Sequence, residues 1–317
     1  MSTGEKNINS ITVRFITDKP VLKTPYQVKG VLMKHFSNEA VIPFLNGRLR
    51  NKFLYPRVQV KILDEQIYLY GIKEGVEAVK SLSGKIKFFD FGNISFNVDS
   101  FDIDISDNNL ILSDNELHNY DFLSPWYALN QPALNDFNER SESKKILLLN
   151  ELLAKNIIFL AREFGSSLNT NIVTKLTVDS LEPNFYPEKK WGSFSASFSA
   201  NFLFPNYIGL GNGITRGFGS IIGCSNKNIM KNIFKGKNVS KPFDLSADNP
   251  DLTMTNPDAI KIYKKKKKNN KKIKVSNKIN QKPNSVNFNR IVDPVEPDFD
   301  EDARFNTEQY HKKQHRS

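Results

Sequence analysis

The segment Gly209-Leu210-Gly211-Asn212-Gly213-Ile214-Thr215-Arg216-Gly217-Phe218-Gly219 limits the fold most, because five glycines among eleven residues make it a turn-rich loop between regular elements. Two glycine-hydrophobic-glycine triplets flank a stretch that includes an arginine. Glycine admits positive φ and lets backbone N–H groups approach a ligand. Leu210 and Phe218 can anchor the loop in a core, and Arg216 supplies fixed positive charge. The pattern reads as a backbone cradle for a phosphate, with a ligand-free tight turn between strands as the alternative. Its spacing fits neither the dinucleotide fingerprint G-x-G-x-x-G nor the phosphate loop G-x-x-x-x-G-K-[ST], so no nucleotide cofactor is implied.

Upstream, the hydrophobic pattern alternates between strand and helix periods. Residues 11–17 alternate as a half-buried strand, Pro25 can open a helix carrying Val28, Val31 and Leu32, and 57–63 with 66–71 form a hairpin around Asp64-Glu65. A second helix over 74–82 and extended runs over 86–94 and 95–105 complete the order of a ferredoxin-like unit. Residues 115–138, with Pro125 and Trp126, read as a linker. A long helix over 139–164, apolar over much of its circumference, then opens a second, eroded unit with strands over 172–181, 194–204 and 217–224. The expected fold is α+β: two tandem ferredoxin-like (RRM-like) units over 10–114 and 139–224, the second carrying the glycine-rich loop.

Charge separates the chain into two regions. Residues 1–224 hold 24 Lys+Arg against 23 Asp+Glu, whereas 225–317 hold 21 against 11. A nucleic-acid site on the first region must therefore come from local clustering. From 225 on, Lys, Asn, Ser, Asp and Pro dominate, which predicts a disordered charged tail. Its lysine run Lys264–Lys268 fits electrostatic RNA binding, a spacer, or pairing with the later acidic cluster equally well. One cysteine, Cys224, excludes a disulfide framework and is expected to pack. With neither a signal peptide nor an apolar run of membrane-spanning length, a cytoplasmic protein without a membrane partner is expected.

The glycine segment, sitting before a short strand late in the folded region, resembles that of repeat-associated RNA-processing proteins of CRISPR systems, most closely the Cas six family of repeat-cleaving endoribonucleases. Tyr26–Lys34 is similar to that family's first helix, Tyr55–Ile62 to its second strand, and Lys145–Gly165 to the helix opening its second half. The resemblance implies a protein that binds CRISPR repeat RNA and cuts it by attack of a ribose 2′-hydroxyl, leaving a 2′,3′-cyclic phosphate. It implies no metal or other cofactor, and it allows other CRISPR effector subunits or a second copy as partners.

Such cleavage needs a proton acceptor, a proton donor and cations around the phosphorane. Of four histidines, His311 and His315 fall in the tail and His118 in the linker. His35 ends the first helix, where interaction with the helix dipole is the alternative role. The resemblance places catalytic groups just after that helix, but an overlay puts Pro43 and Leu45 where the most similar subfamily has histidines. Arg48, Arg50, Lys52 and Arg57 are interleaved with Leu49, Phe53 and Tyr55. Were the segment extended, its even-numbered cations would share one side, as contacts along an RNA backbone require; a solvated charged face is the alternative. Tyr55 resembles a family tyrosine near the scissile phosphate. The expected catalytic set is thus His35, Tyr55, Arg48, Arg50 and Lys52, with Gly209, Gly211, Arg216, Gly217, Gly219 and Arg57 on the RNA. Asp102, Asp104 and Asp107 lack the glycine and terminal Glu of a calcium loop and read as the outer face of a strand. A protein that keeps the RNA site but has lost cleavage, serving as a module of an effector complex, is the competing expectation.

Overall fold

The computed structural model describes residues 9–106, 110–113, 116–186, 189–224 and 252–260. The first half contains β1 (Ser10–Thr17), α1 (Pro25–His35), a one-turn α2 (Ile42–Leu45), β2 (Val58–Leu63), β3 (Gln66–Ile72), α3 (Val76–Ser83), β4 (Phe88–Asp90) and β5 (Ser95–Ser106). Its antiparallel sheet runs β2-β3-β1-β5-β4, the ferredoxin-like order with one short added strand. Helix α1 starts on a capping box: Thr24 Oγ1 accepts from the Gln27 amide, the Gln27 side chain accepts from the Thr24 amide, and Pro25 takes the first turn. Val28, Val31 and Leu32 of α1 pack with Val76 and Val79 of α3 on Val13, Val60 and Leu69 of the sheet.

The second half follows the same plan. It contains β6 (Ile111–Leu112), β7 (His118–Phe122), β8 (Trp126–Leu129), α4 (Gln131–Asn138), α5 (Glu142–Phe164), β9 (Ile172–Val178), β10 (Asn184–Tyr186), β11 (Lys189–Phe194), β12 (Ala196–Ala200), β13 (Phe202–Leu203), β14 (Ile221–Gly223) and β15 (Thr253–Thr255). Its main sheet runs β14-β7-β12-β9-β15. Without β15 this is again the ferredoxin-like order, with α5 as the first crossover and the glycine segment, between β12 and β14, where a second helix would lie.

Three expectations are corrected. Residues 115–138 are not a mere linker: β7 is a central strand of the second sheet, and β8 and α4 pack in the same core. Only Tyr120 of β7 is buried, so the strand's apolar pattern is too sparse to read. The helix expected over 139–164 is observed as α5, which begins three residues later at Glu142, while the separate α4 falls inside the expected linker. Part of the expected disordered tail is ordered, for β15 pairs with β9, and Arg162 on α5 donates to the carbonyls of Pro257 and Ile260 at 2.6 and 2.7 Å. His311, His315, Asp107, the lysine run and the acidic cluster lie outside the described residues.

Candidate nucleic-acid interface

Tyr55 joins the two halves at the site. Its hydroxyl donates to the Gly209 carbonyl at 2.8 Å and accepts from the Gly209 amide at 3.1 Å and from Gln59 Nε2 at 2.9 Å. The ring is 1% exposed and meets Phe164 edge-on. Burial raises the phenol well above its ordinary pKa. With its proton and lone pairs committed internally, Tyr55 anchors the glycine segment and has no hydrogen bond left for a phosphate, contrary to the expected catalytic role.

Arg57, two residues on, is likewise internal. It is 5% exposed, with Nε 2.7 Å from Glu74 and Nη2 2.8 Å from Glu163, and its guanidinium lies between the rings of Phe53 and Phe164. Two carboxylates neutralise it, so its contribution is to hold α5 against the first half rather than to offer charge to RNA.

The segment between α2 and β2 is not extended. Gly47 has φ 82, Asn46 Oδ1 accepts from the Arg48 amide, and the amides of Arg50 and Lys52 return to Gly47 and Leu49. Phe44 stacks on Phe53. These turns separate the even-numbered cations. Arg48 and Lys52 are exposed, Arg50 borders a cleft, and Arg57 is buried.

The glycine segment is a folded plug more than an open cradle. The amides of Leu210, Asn212, Arg216, Gly217, Phe218 and Gly219 donate to carbonyls of the protein itself, as Gly209 does to Tyr55. Gly219, at φ 68, sits where a Cβ would collide with the Leu210 carbonyl, and at Gly217, φ 88, a Cβ would come 2.6 Å from Pro25 of α1. The glycines thus permit close self-packing. The edge Gly209 to Asn212, with Ile214 and Thr215, borders the cleft; Gly217 and Gly219 do not.

That cleft lies between the turns after α2, the α5 residues Asn156, Phe159 and Leu160, and the glycine segment. Sequence reasoning missed Lys29, which lines it from α1 although only 6% exposed. Burial, then Arg50, then Arg216 bring its ammonium down to about 8, which places both guanidinium groups within electrostatic range of it. Among the described residues lining the cleft there is no aspartate or glutamate. The signal in the sequence was faint: position 29 adjoins the inward stripe of Val28, Val31 and Leu32, where a lysine is out of place.

His35 is not part of this arrangement. It ends α1 with Nε2 4.0 Å from Asp90 Oδ2 and its ring edge-on to Phe88, and it does not line the cleft. It stands six positions after Lys29, about 9 Å along the helix axis. His118 lies in β7 rather than in a loop, bonded through Nε2 to Ser113 Oγ at 2.9 Å, with burial lowering its pKa. Cys224 is partly buried, its Sγ 3.5 Å from Asp121. Asp102 and Asp104 are exposed on β5, as expected. No helix among the described residues is long and apolar enough to cross a membrane.

The Cas6b N-terminal domain matches residues 6–109 and the Cas6b C-terminal domain residues 112–224. An uncharacterized protein of Methanocaldococcus jannaschii is 36% identical over 107 residues, covering 32% of this chain and 70% of that protein. Among solved structures, a Cas6b crystal structure superimposes with a TM-score of 0.58 at 20% identity, over 68% of this chain and 98% of the other. A second, described as a CRISPR RNA processing endoribonuclease Cas6b, gives a TM-score of 0.50 at 21% identity over the same shares. At these identities the structural likeness is one of fold.

Proposed function

The chain belongs to the Cas6b family, and from that premise we propose that it binds CRISPR repeat RNA across the cleft between its two halves and cleaves it by attack of a 2′-hydroxyl on the adjacent phosphate, without a metal. The supporting observation is that Lys29 and Arg50 line a cleft whose described lining has no carboxylate, with Arg216, from a third part of the sequence, within electrostatic range of Lys29. Cations gathered this way repel one another, and a bound phosphodiester relieves that repulsion. Arg48 and Lys52, exposed on the same segment as Arg50, extend the positive surface beyond the cleft for flanking phosphates. Gly209 and Gly211 provide a low backbone edge against which the RNA chain can lie. Tyr55 and Arg57 position that edge and α5.

A second reading, an RNA-binding module of an effector complex without cleavage, is favoured by one observation: among the described residues lining the cleft there is no histidine. Both readings require the cation cluster to hold RNA. Arg216→Ala should weaken binding of a repeat transcript and reduce the magnitude of the slope of log K against log salt by about 0.7. His35→Ala should change neither. Unchanged affinity and slope in Arg216→Ala, or a loss in His35→Ala as large, would place the RNA elsewhere.

A further inference from the structure

We propose that Lys29 is the proton acceptor of the cleavage reaction, taking the 2′-hydroxyl proton of the nucleotide whose phosphate lies between Arg50 and Arg216; this rests on the cleavage reading above. Lys29 stands one helical turn after Pro25, the residue against which Gly217 is packed. A helical side chain leans back towards the N-terminal turn, so the Lys29 chain runs towards the part of the glycine segment that carries Arg216. It makes no hydrogen bond or ion pair among the described residues that would hold its nitrogen as a permanent cation. The side chain is 94% covered, as its 6% exposure implies, yet borders the cleft, so a substrate can reach a nitrogen that bulk water scarcely does.

The charged groups around it act in one direction. Arg50 follows α2, Arg216 belongs to the glycine segment, and Arg57 borders the same cleft with its charge already paired to Glu74 and Glu163. On β4, Asp90 faces His35 at the far end of α1, and Lys61 of β2 points into the opposite face of the sheet from Val60. Burial and the two nearby guanidinium groups bring Lys29 to about 8, so about a tenth of it is neutral at pH 7 and about half at pH 8.

In the step, the 2′-O–H bond breaks and its proton moves to the neutral Lys29 amine. The 2′-oxygen bonds to phosphorus, and the bond from phosphorus to the 5′-oxygen breaks. The leaving 5′-oxygen takes a proton from a solvent water, and the Lys29 ammonium returns its proton to the resulting hydroxide. No water is consumed, and the products are a 2′,3′-cyclic phosphate and a 5′-hydroxyl. Arg50 and Arg216 carry the extra negative charge of the phosphorane.

The test compares wild type, Lys29→Arg and Lys29→Met by single-turnover cleavage of a repeat transcript at subsaturating protein from pH 6 to pH 10, with RNA affinity measured in parallel. Wild type should show a rate rising about tenfold per pH unit and levelling near pH 8. Lys29→Arg should bind RNA comparably yet cleave about 100-fold more slowly or worse, without that break, because a guanidinium keeps the charge but does not accept the proton. Near-normal cleavage by Lys29→Arg overturns the proposal, as does a wild-type profile without a break between pH 7 and pH 9. If wild type binds the repeat and does not cut it at any pH, the cleavage reading fails and this inference with it. If wild type cuts and Lys29→Arg cuts equally well, only the inference fails.

Discussion

Lys61 and Lys29 show how differently two inward-facing lysines can be placed. Lys61 of β2 is 0% exposed, its nitrogen has no hydrogen-bond partner among the described residues, and it lies 5.9 Å from the Tyr70 ring centre. Burial alone lowers it to about 7, against 10.5 when unfolded. Between those values the unfolded chain binds the extra proton. Stability should therefore rise with pH from about 7 towards 10, by up to about 1.4 kcal/mol per pH unit. Thermal unfolding of Lys61→Met should lack that rise and exceed wild type most clearly at and below pH 7. Equal pH dependence in the two proteins would mean that Lys61 is hydrated in solution. Tyr55→Phe, which removes the partner of the Gly209 amide and carbonyl and leaves Gln59 Nε2 only the Pro56 carbonyl, should cost about 1–3 kcal/mol in denaturant unfolding. At this scale the sequence was legible by place more than by role. Tyr55 and Arg57 were singled out beside the site, but their partners Gly209 and Glu163 are distant in sequence, so nothing local revealed that both are internal. Lys29 gave only the faint signal of a lysine beside the apolar stripe of α1, because its burial depends on the glycine segment packing against that helix.

Among the elements, the glycine segment was the most legible and the most misread. Its glycines announce tight backbone, and the structure uses that tightness inward. Gly219→Ala, which forces φ 68 and a collision with the Leu210 carbonyl, should destabilise by more than about 1 kcal/mol and loosen the cleft edge, seen as faster amide exchange at Leu210 and Asn212. Unaltered exchange and stability would show that the segment relaxes freely. The first unit could be read almost strand by strand because its apolar residues alternate cleanly and its hairpin turns on Asp64-Glu65. In the second unit β7 was lost, since one buried tyrosine among five residues carries no period. The edge strand β15 was hidden for another reason: Thr253–Thr255 buries little, and its place depends on Arg162 grasping two carbonyls of the tail. Arg162→Ala should release that segment, making the chain near Pro257 more sensitive to limited proteolysis while RNA affinity at the cleft stays unchanged.

For the whole molecule, two ferredoxin-like units meet at a joint held by Tyr55, Arg57 and Glu163, and Lys29 and Arg50 line the cleft beside it. That arrangement lets a folded region with balanced charge present a positive cleft: Glu74 and Glu163 pair with Arg57, Lys29 and Arg50 line the cleft without a carboxylate among its described lining, and Arg216 lies within electrostatic range of Lys29. The fold was legible because repeated strand and helix periods survive in sequence; the cluster was not, since its members are brought together only by the packing of the halves. The most direct test is incubation of the full chain, in EDTA, with a labelled transcript of the repeat from its own genome, beside Arg50→Ala/Arg216→Ala, followed by end-group analysis. One discrete cut ending in a cyclic phosphate, strongly reduced in the double variant, is the expected result. Binding without a cut, or a cut that the double variant makes equally well, would contradict the account.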